Sequence, residues 1–197
     1  MITDFFALLD QPRLPWPDQA EVKQAFHEKS KTAHPDARPA GTDAAEADAA
    51  FAKLSEGYQV LQDPKRRLGH LLALEGETQP AAGAEIADDI AILFQTVAGA
   101  TQEAERVLEK FSAASNPLSR SLLQSEVKAA RTRMASTLKT LLELQTRAEN
   151  ETKALNNPAA RSPDERVREL QRLYTRFAYL TRWIGELNEK QTRLSCC

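Results

Sequence analysis

Cysteine contributes almost nothing to this chain of 197 residues: its two, Cys196 and Cys197, are neighbours at the last positions, so no disulfide ties distant segments together. Adjacent thiols invite prenylation or a soft metal, but a plain tail is the expectation. Glycine is scarce at 7 residues, and β-branched residues are few, which disfavours strands. Charge is nearly balanced, Lys+Arg 26 against Asp+Glu 28, so no global field recruits nucleic acid. No apolar run reaches the roughly 18 residues that a membrane span needs. The start, MITDFFALLDQPRLPWPD, has no basic segment followed by a long apolar one, so no secretory leader and a cytoplasmic location are expected.

The groups that carry chemistry are equally thin. His27, His34 and His70 are the only histidines, and no cysteine stands near them at a metal-ligand spacing. No glycine-rich phosphate loop and no nucleophile elbow occur. The pair Asp88-Asp89 sits where a helix begins, and the favourable interaction with the helix dipole accounts for it. A small hydrolase built on His34 and Asp36 would need a third catalytic group and a pocket. The expectation is therefore a protein that is no enzyme and holds neither cofactor nor metal.

What is abundant is helix-forming sequence, and with 42% hydrophobic residues the chain can bury a core. An all-α fold is predicted, with joints at Pro12 to Pro17, Pro35 to Gly41, Pro80 to Gly83, Asn116-Pro117 and Asn156 to Pro158. A short helix at 4–9 comes first. Asp18 caps a second, with Glu21 at the capping-box position, which runs to Ala33 because Pro35 disfavours a helical residue before it. A third, at 43–61, places Phe51, Leu54, Tyr58 and Leu61 on one stripe, and a turn or two follows from Pro64. Three long helices then begin near Ala84, at Asn116-Pro117 and at Ser162-Pro163-Asp164-Glu165, and should form an antiparallel bundle. The stripes expected in the bundle include Leu118, Leu122 and Leu142 in its second helix. In its third they include Leu170, Leu173, Phe177, Leu180 and Leu187, with Tyr179 and Trp183 on a different face, where an aromatic pair either covers another element or binds a partner. Arg168, Arg172 and Arg176 form a row on that helix, read as a solvated face with Glu165 and Glu169 in pairing range rather than as a nucleic-acid site.

His34-Pro35-Asp36 lies between two helices whose stripes, Val22/Phe26 and Phe51/Leu54/Tyr58/Leu61, face each other. With Phe5-Phe6-Ala7-Leu8 before it and Asp63-Pro64 with Arg66-Arg67 after it, this arrangement resembles a J-domain. The resemblance implies docking on the ATPase domain of a DnaK-class chaperone and stimulation of ATP hydrolysis there, with His34, Pro35 and Asp36 as the active tripeptide. Pro35 fixes φ and so holds the loop's imidazole and carboxylate ready for contact. Lys23, Lys29 and Lys31 on the second helix form a basic face suited to an acidic chaperone surface. Ala33, Lys29 and Ala37 depart from the residues usual there.

The glycine/phenylalanine-rich and Cys-x-x-Cys segments of general J-proteins are missing. The run from Asp63 to Gly76 leads instead into the helical bundle, an architecture that is similar over nearly the whole chain to the HscB co-chaperones of iron–sulfur cluster assembly. The resemblance implies a J-domain at 1–76, a linker at 77–83 and a client-binding three-helix bundle at 84–197. Its partners would be an HscA-like chaperone and an IscU-type scaffold protein, with neither nucleic acid nor membrane. Carried over to this sequence, the client surface comprises Leu93, Phe94, Val97, Glu105 and Tyr179, to which the face shared with Tyr179 adds Trp183. Ala98 and Thr101 replace two acidic residues of that surface, so a different client, or an anchoring role for the bundle, is the alternative expectation.

Overall fold

The computed structural model describes residues 2–33, 44–80, 88–157 and 161–197. His34, Pro35 and Asp36 lie outside the described residues, as do Ala37 and the expected helix start at Ala84. Every regular element among the described residues is a helix: α1 (Phe5–Leu8), α2 (Gln19–Ala33), α3 (Ala44–Gln62), α4 (Pro64–Leu74), α5 (Asp88–Ala113), α6 (Pro117–Ala154) and α7 (Pro163–Ser195). The turn or two expected after Pro64 is the complete helix α4. Asp63 caps it by accepting from the Arg66 amide, and Pro64 occupies the first position, where its missing N–H costs nothing.

Local chemistry sets four further helix starts, those of α1, α2, α6 and α7. Asp4 accepts from the amides of Phe6 and Ala7 at the head of α1, and Asp18 does the same for Ala20 and Glu21 before α2. Asn116 accepts from the Ser119 amide before α6. At α7 the capping box closes in both directions: Ser162 Oγ accepts from the Glu165 amide, and the Glu165 carboxylate accepts from the Ser162 amide at 3.0 Å.

The chain forms two compact units. One consists of Met1–Ala84 with Glu149–Thr175, the other of Glu85–Ala148 with Arg176–Cys197. The end of α6 and the beginning of α7 thus group with the N-terminal helices. In the first unit α1, α2 and α4 all pack on α3. Phe6, Leu9, Val22, Leu54, Leu61, Leu68, Leu71 and Leu72 are buried there, and the Phe26 ring stacks on Tyr58 with centroids 4.3 Å apart. The facing stripes of α2 and α3 are thus realised.

Residues 149–175 join this unit through specific bonds. Asn156 accepts from the Trp16 amide at 2.9 Å and donates to the Trp16 carbonyl at 2.7 Å. Arg166 pairs with Glu75, Gln171 donates to the Thr78 carbonyl, and the Tyr174 hydroxyl donates to Gln79. Arg67 lies fully buried under the Trp16 ring, 4.5 Å from its centroid, and donates to the Pro15 and Leu61 carbonyls at 2.8 and 2.6 Å. Burial pushes its guanidinium down to about 10, against the pull of Asp63 and Glu149, so it stays charged at neutral pH.

In the second unit Ile90, Leu93, Val97, Ala100, Ala104 and Val107 of α5 meet Val127, Met134 and Leu141 of α6 and Leu180, Trp183, Leu187 and Leu194 of α7. The stripe expected on α6 is corrected at three places, since Leu118, Leu122 and Leu142 are exposed. Small residues take part of their place: Ala130 and Ala148 are buried on the inner face of α6. On the basic row of α7 the expected pairing of Arg172 with Glu169 is present, and the solvated reading is corrected at Arg176. Arg176 is buried, and Arg172 is half-buried and binds Glu151 and Glu169 at 2.6 and 2.7 Å, so of the three only Arg168 is exposed.

Candidate functional site

Two surfaces hold the candidate residues. The first is the α2–α3 hairpin, whose tip in sequence is the segment containing His34, Pro35 and Asp36. α2 ends at Ala33, the residue before the tripeptide, and α3 resumes at Ala44. Lys23 and Lys31 are exposed on α2, but Lys29 is not part of an open basic face. Its ammonium donates to the Leu8 carbonyl at 2.7 Å and pairs with Asp10 at 2.8 Å, which ties α2 to the end of α1. Sequence reading counted it with the solvated lysines because its partners stand some twenty residues away, and helical phase carries no information about them.

α1 is fixed from the other side by His70 of α4. The Phe5 amide donates to His70 Nε2 at 3.1 Å, and the imidazole lies near-parallel to the Phe6 ring at a centroid distance of 5.8 Å. An Nε2 that accepts must be unprotonated. Burial holds the imidazole below its usual value despite the attraction of Asp4, with Arg13 adding to the depression. Gly57 brings α3 against the same corner: a Cβ there would stand 3.0 Å from the Phe5 ring. Phe5, Phe6, Gly57 and His70 thus set the position of α1 against the helices that flank the tripeptide.

The second surface lies on α5 and α7. Phe94 is 39% exposed and meets Tyr179 and Trp183 edge-on, at centroid distances of 5.3 and 4.9 Å. Tyr179 and Trp183 also touch each other, at 5.4 Å, so the three rings form one cluster. The expectation that Trp183 lies off the core face is corrected: it is 5% exposed and belongs to the core of the unit, because residues of α5, Phe94 among them, cover it. Leu93 and Val97 are buried beneath it as well. Of the six residues expected there, Phe94, Tyr179 and Glu105 reach the surface. Glu105 is bound by Lys190 at 2.7 Å, an ion pair sequence reading did not foresee.

No group of three or more metal-ligating side chains is gathered among the described residues, and no described helix is long and apolar enough to cross a membrane.

Comparison with known proteins bears on both surfaces. The DnaJ domain family matches residues 4–69, which run from α1 into the first half of α4 and include the tripeptide. Over 64 residues the chain is 41% identical to the chaperone protein DnaJ of Synechococcus elongatus, a match covering 32% of this chain and 21% of that protein. The DnaJ of Caldicellulosiruptor saccharolyticus is 38% identical over 64 residues, or 15% of its length. The chain thus spans about a fifth or less of these curated relatives. Among solved structures, the human co-chaperone protein HscB is matched over 95% of this chain and 82% of its own, with a TM-score of 0.51 at 19% identity. The chaperone HscB of Vibrio cholerae is matched over 98% and 99%, with a TM-score of 0.51 at 18% identity.

Proposed function

From its DnaJ domain at residues 4–69 and the fold it shares with the HscB co-chaperones, we propose that this chain is a non-enzymatic co-chaperone. It acts on a DnaK-class, HscA-like ATPase through His34-Pro35-Asp36 and delivers an IscU-type scaffold protein held on its second unit. The observation that carries the reading is the tripeptide itself, set between two helices that pack stripe on stripe inside the matched domain. Lys23 and Lys31 add exposed positive charge on the same hairpin and steer an acidic partner. Lys29 contributes by holding α2 to α1.

For the client, the Phe94–Tyr179 pair supplies the aromatic contact, and Leu93, Val97 and Trp183 serve as its rigid support. Glu105, neutralised by Lys190, adds little net charge to the rim. The contact is therefore apolar at its centre and acts on the dissociation rate more than on the association rate.

Single-turnover ATP hydrolysis by a DnaK-class chaperone tests the proposal. Stimulation by this protein is expected to be lost in His34→Gln and raised further when an IscU-type scaffold is added. Stimulation indifferent to the scaffold redirects the second unit to another client, and its absence with every DnaK-class partner refutes the co-chaperone reading.

A further inference from the structure

The second unit has another surface, formed by α6 and α7, that the client reading leaves unused. Between Val127 and Leu142 α6 carries four cations, Lys128, Arg131, Arg133 and Lys139, and not one carboxylate. Arg133 is committed to Glu103 of α5 at 3.0 Å. Lys128, Arg131 and Lys139 have no ion-pair partner among the described residues.

These three cations line a groove along α6. A shallow depression of about 620 Å³ lies over Gln124, Lys128, Arg131 and Ala135, and a second, of about 410 Å³, over Ala135, Leu138, Lys139 and Leu142. The two meet at Ala135 and Gln191. From Gln124 to Thr146 the line they follow along α6 is roughly 33 Å long, at 1.5 Å per residue. The apolar part of the groove's lining is the second depression, where Leu138 is half-buried and Leu142 is 46% exposed, whereas Lys128 and Arg131 line the first together with Gln124 and Thr132. The one acidic residue lining the groove is Glu143, at the far end.

We infer that this groove docks an acidic amphipathic helix of a partner protein. Its apolar residues would cover Ala135, Leu138 and Leu142, and its carboxylates would meet Lys128, Arg131 and Lys139. Charge complementarity chooses the occupant. A groove lined by unpaired Lys128 and Arg131 in its first half and by Leu138, Leu142 and Lys139 in its second fits a helix that carries both leucines and carboxylates, the helix-in-groove mode. A nucleic acid would find phosphate partners but no aromatic side chain to stack on, since α6 contains no Phe, Tyr, Trp or His.

The test uses the full chain and a fluorescein-labelled 18-residue peptide with leucines at helical spacing and glutamates on both flanks, read by fluorescence anisotropy at low salt. The peptide is expected to bind, and Lys128→Glu/Lys139→Glu is expected to weaken it about tenfold or more. Arg147→Glu/Arg193→Glu, which makes the same charge change at exposed sites outside the groove, is expected to leave affinity within about twofold. Leu142→Ser, which changes no charge, should also weaken binding. A lysine-flanked version of the peptide should not bind. Equal losses in the two charge-reversed variants, no binding of the acidic peptide, or groove-dependent binding of duplex nucleic acid in its place would each overturn the inference. So would self-association, seen by sedimentation, that Lys128→Glu/Lys139→Glu abolishes, since the groove's occupant would then be a second copy of this chain.

Discussion

Replacing Asn156 by alanine tests whether the end of α6 belongs to the same cooperative unit as the N-terminal helices. The amide makes two bonds to the backbone of Trp16, 140 residues away, at 2.9 and 2.7 Å, and both are partly shielded from water. A neutral hydrogen bond contributes about 0.5–1.5 kcal/mol net, so losing both costs about 1–3 kcal/mol, with the upper part favoured because the Trp16 amide loses a fixed partner. The effect reaches beyond the pair: the Trp16 ring covers the Arg67 guanidinium at 4.5 Å and lies under the Lys153 ammonium at 5.0 Å. Asn156→Asp keeps the acceptor for the amide but sets a carboxylate oxygen against the Trp16 carbonyl, and should cost at least as much as alanine. The chain has two tryptophans, Trp16 in one unit and Trp183 in the other, which makes the assay selective. In a Trp183→Phe background, urea unfolding followed by Trp16 fluorescence should shift its midpoint down by about 1 M, for a slope of about 1–3 kcal/mol/M. An unchanged Trp16 midpoint in both variants would refute the view that residues 149–175 stabilise the first unit.

The remaining predictions concern the corner at α1, the tripeptide and the aromatic cluster. Because burial depresses the His70 imidazole below its ordinary value, the unfolded chain takes up the proton first as pH falls. Its contribution to stability is complete above about pH 6.5 and declines from there toward the lower folded value, and His70→Leu should flatten that slope in urea midpoints measured from pH 7.5 to 5.5. Gly57→Ala forces a Cβ to within 3.0 Å of the Phe5 ring and should cost about 1–3 kcal/mol by thermal or urea unfolding, whereas Ala52→Gly, on the exposed side of α3, should cost no more than about 1 kcal/mol. Phe94→Ala should lower affinity for an IscU-type scaffold in a pull-down or titration while leaving ATPase stimulation by the unbound co-chaperone intact; loss of both together would argue against separate surfaces. His34→Gln should do the converse.

The sequence by itself determined the features governed by neighbours along the chain. Helix starts were legible because a cap and the amides it satisfies lie within three residues, as at Asp18, Asn116 and Ser162 with Glu165. The facing stripes of α2 and α3, and with them the setting of His34-Pro35-Asp36, were legible because helical phase is a local property. The tertiary structure alone decided whether a given face finds something to cover it. Arg67, adjacent to Arg66 in a polar run, is drawn into the core by carbonyls of Pro15 and Leu61 and the face of Trp16, while Arg66 stays exposed. Trp183 is buried because Phe94, eighty-nine residues earlier, meets it edge-on, and Leu142 is left open on a helix whose inner face is filled by Val127, Met134 and Leu141. Helical phase fixes which residues share a face. Which faces are buried depends on partners distant in sequence, and no local pattern encodes them.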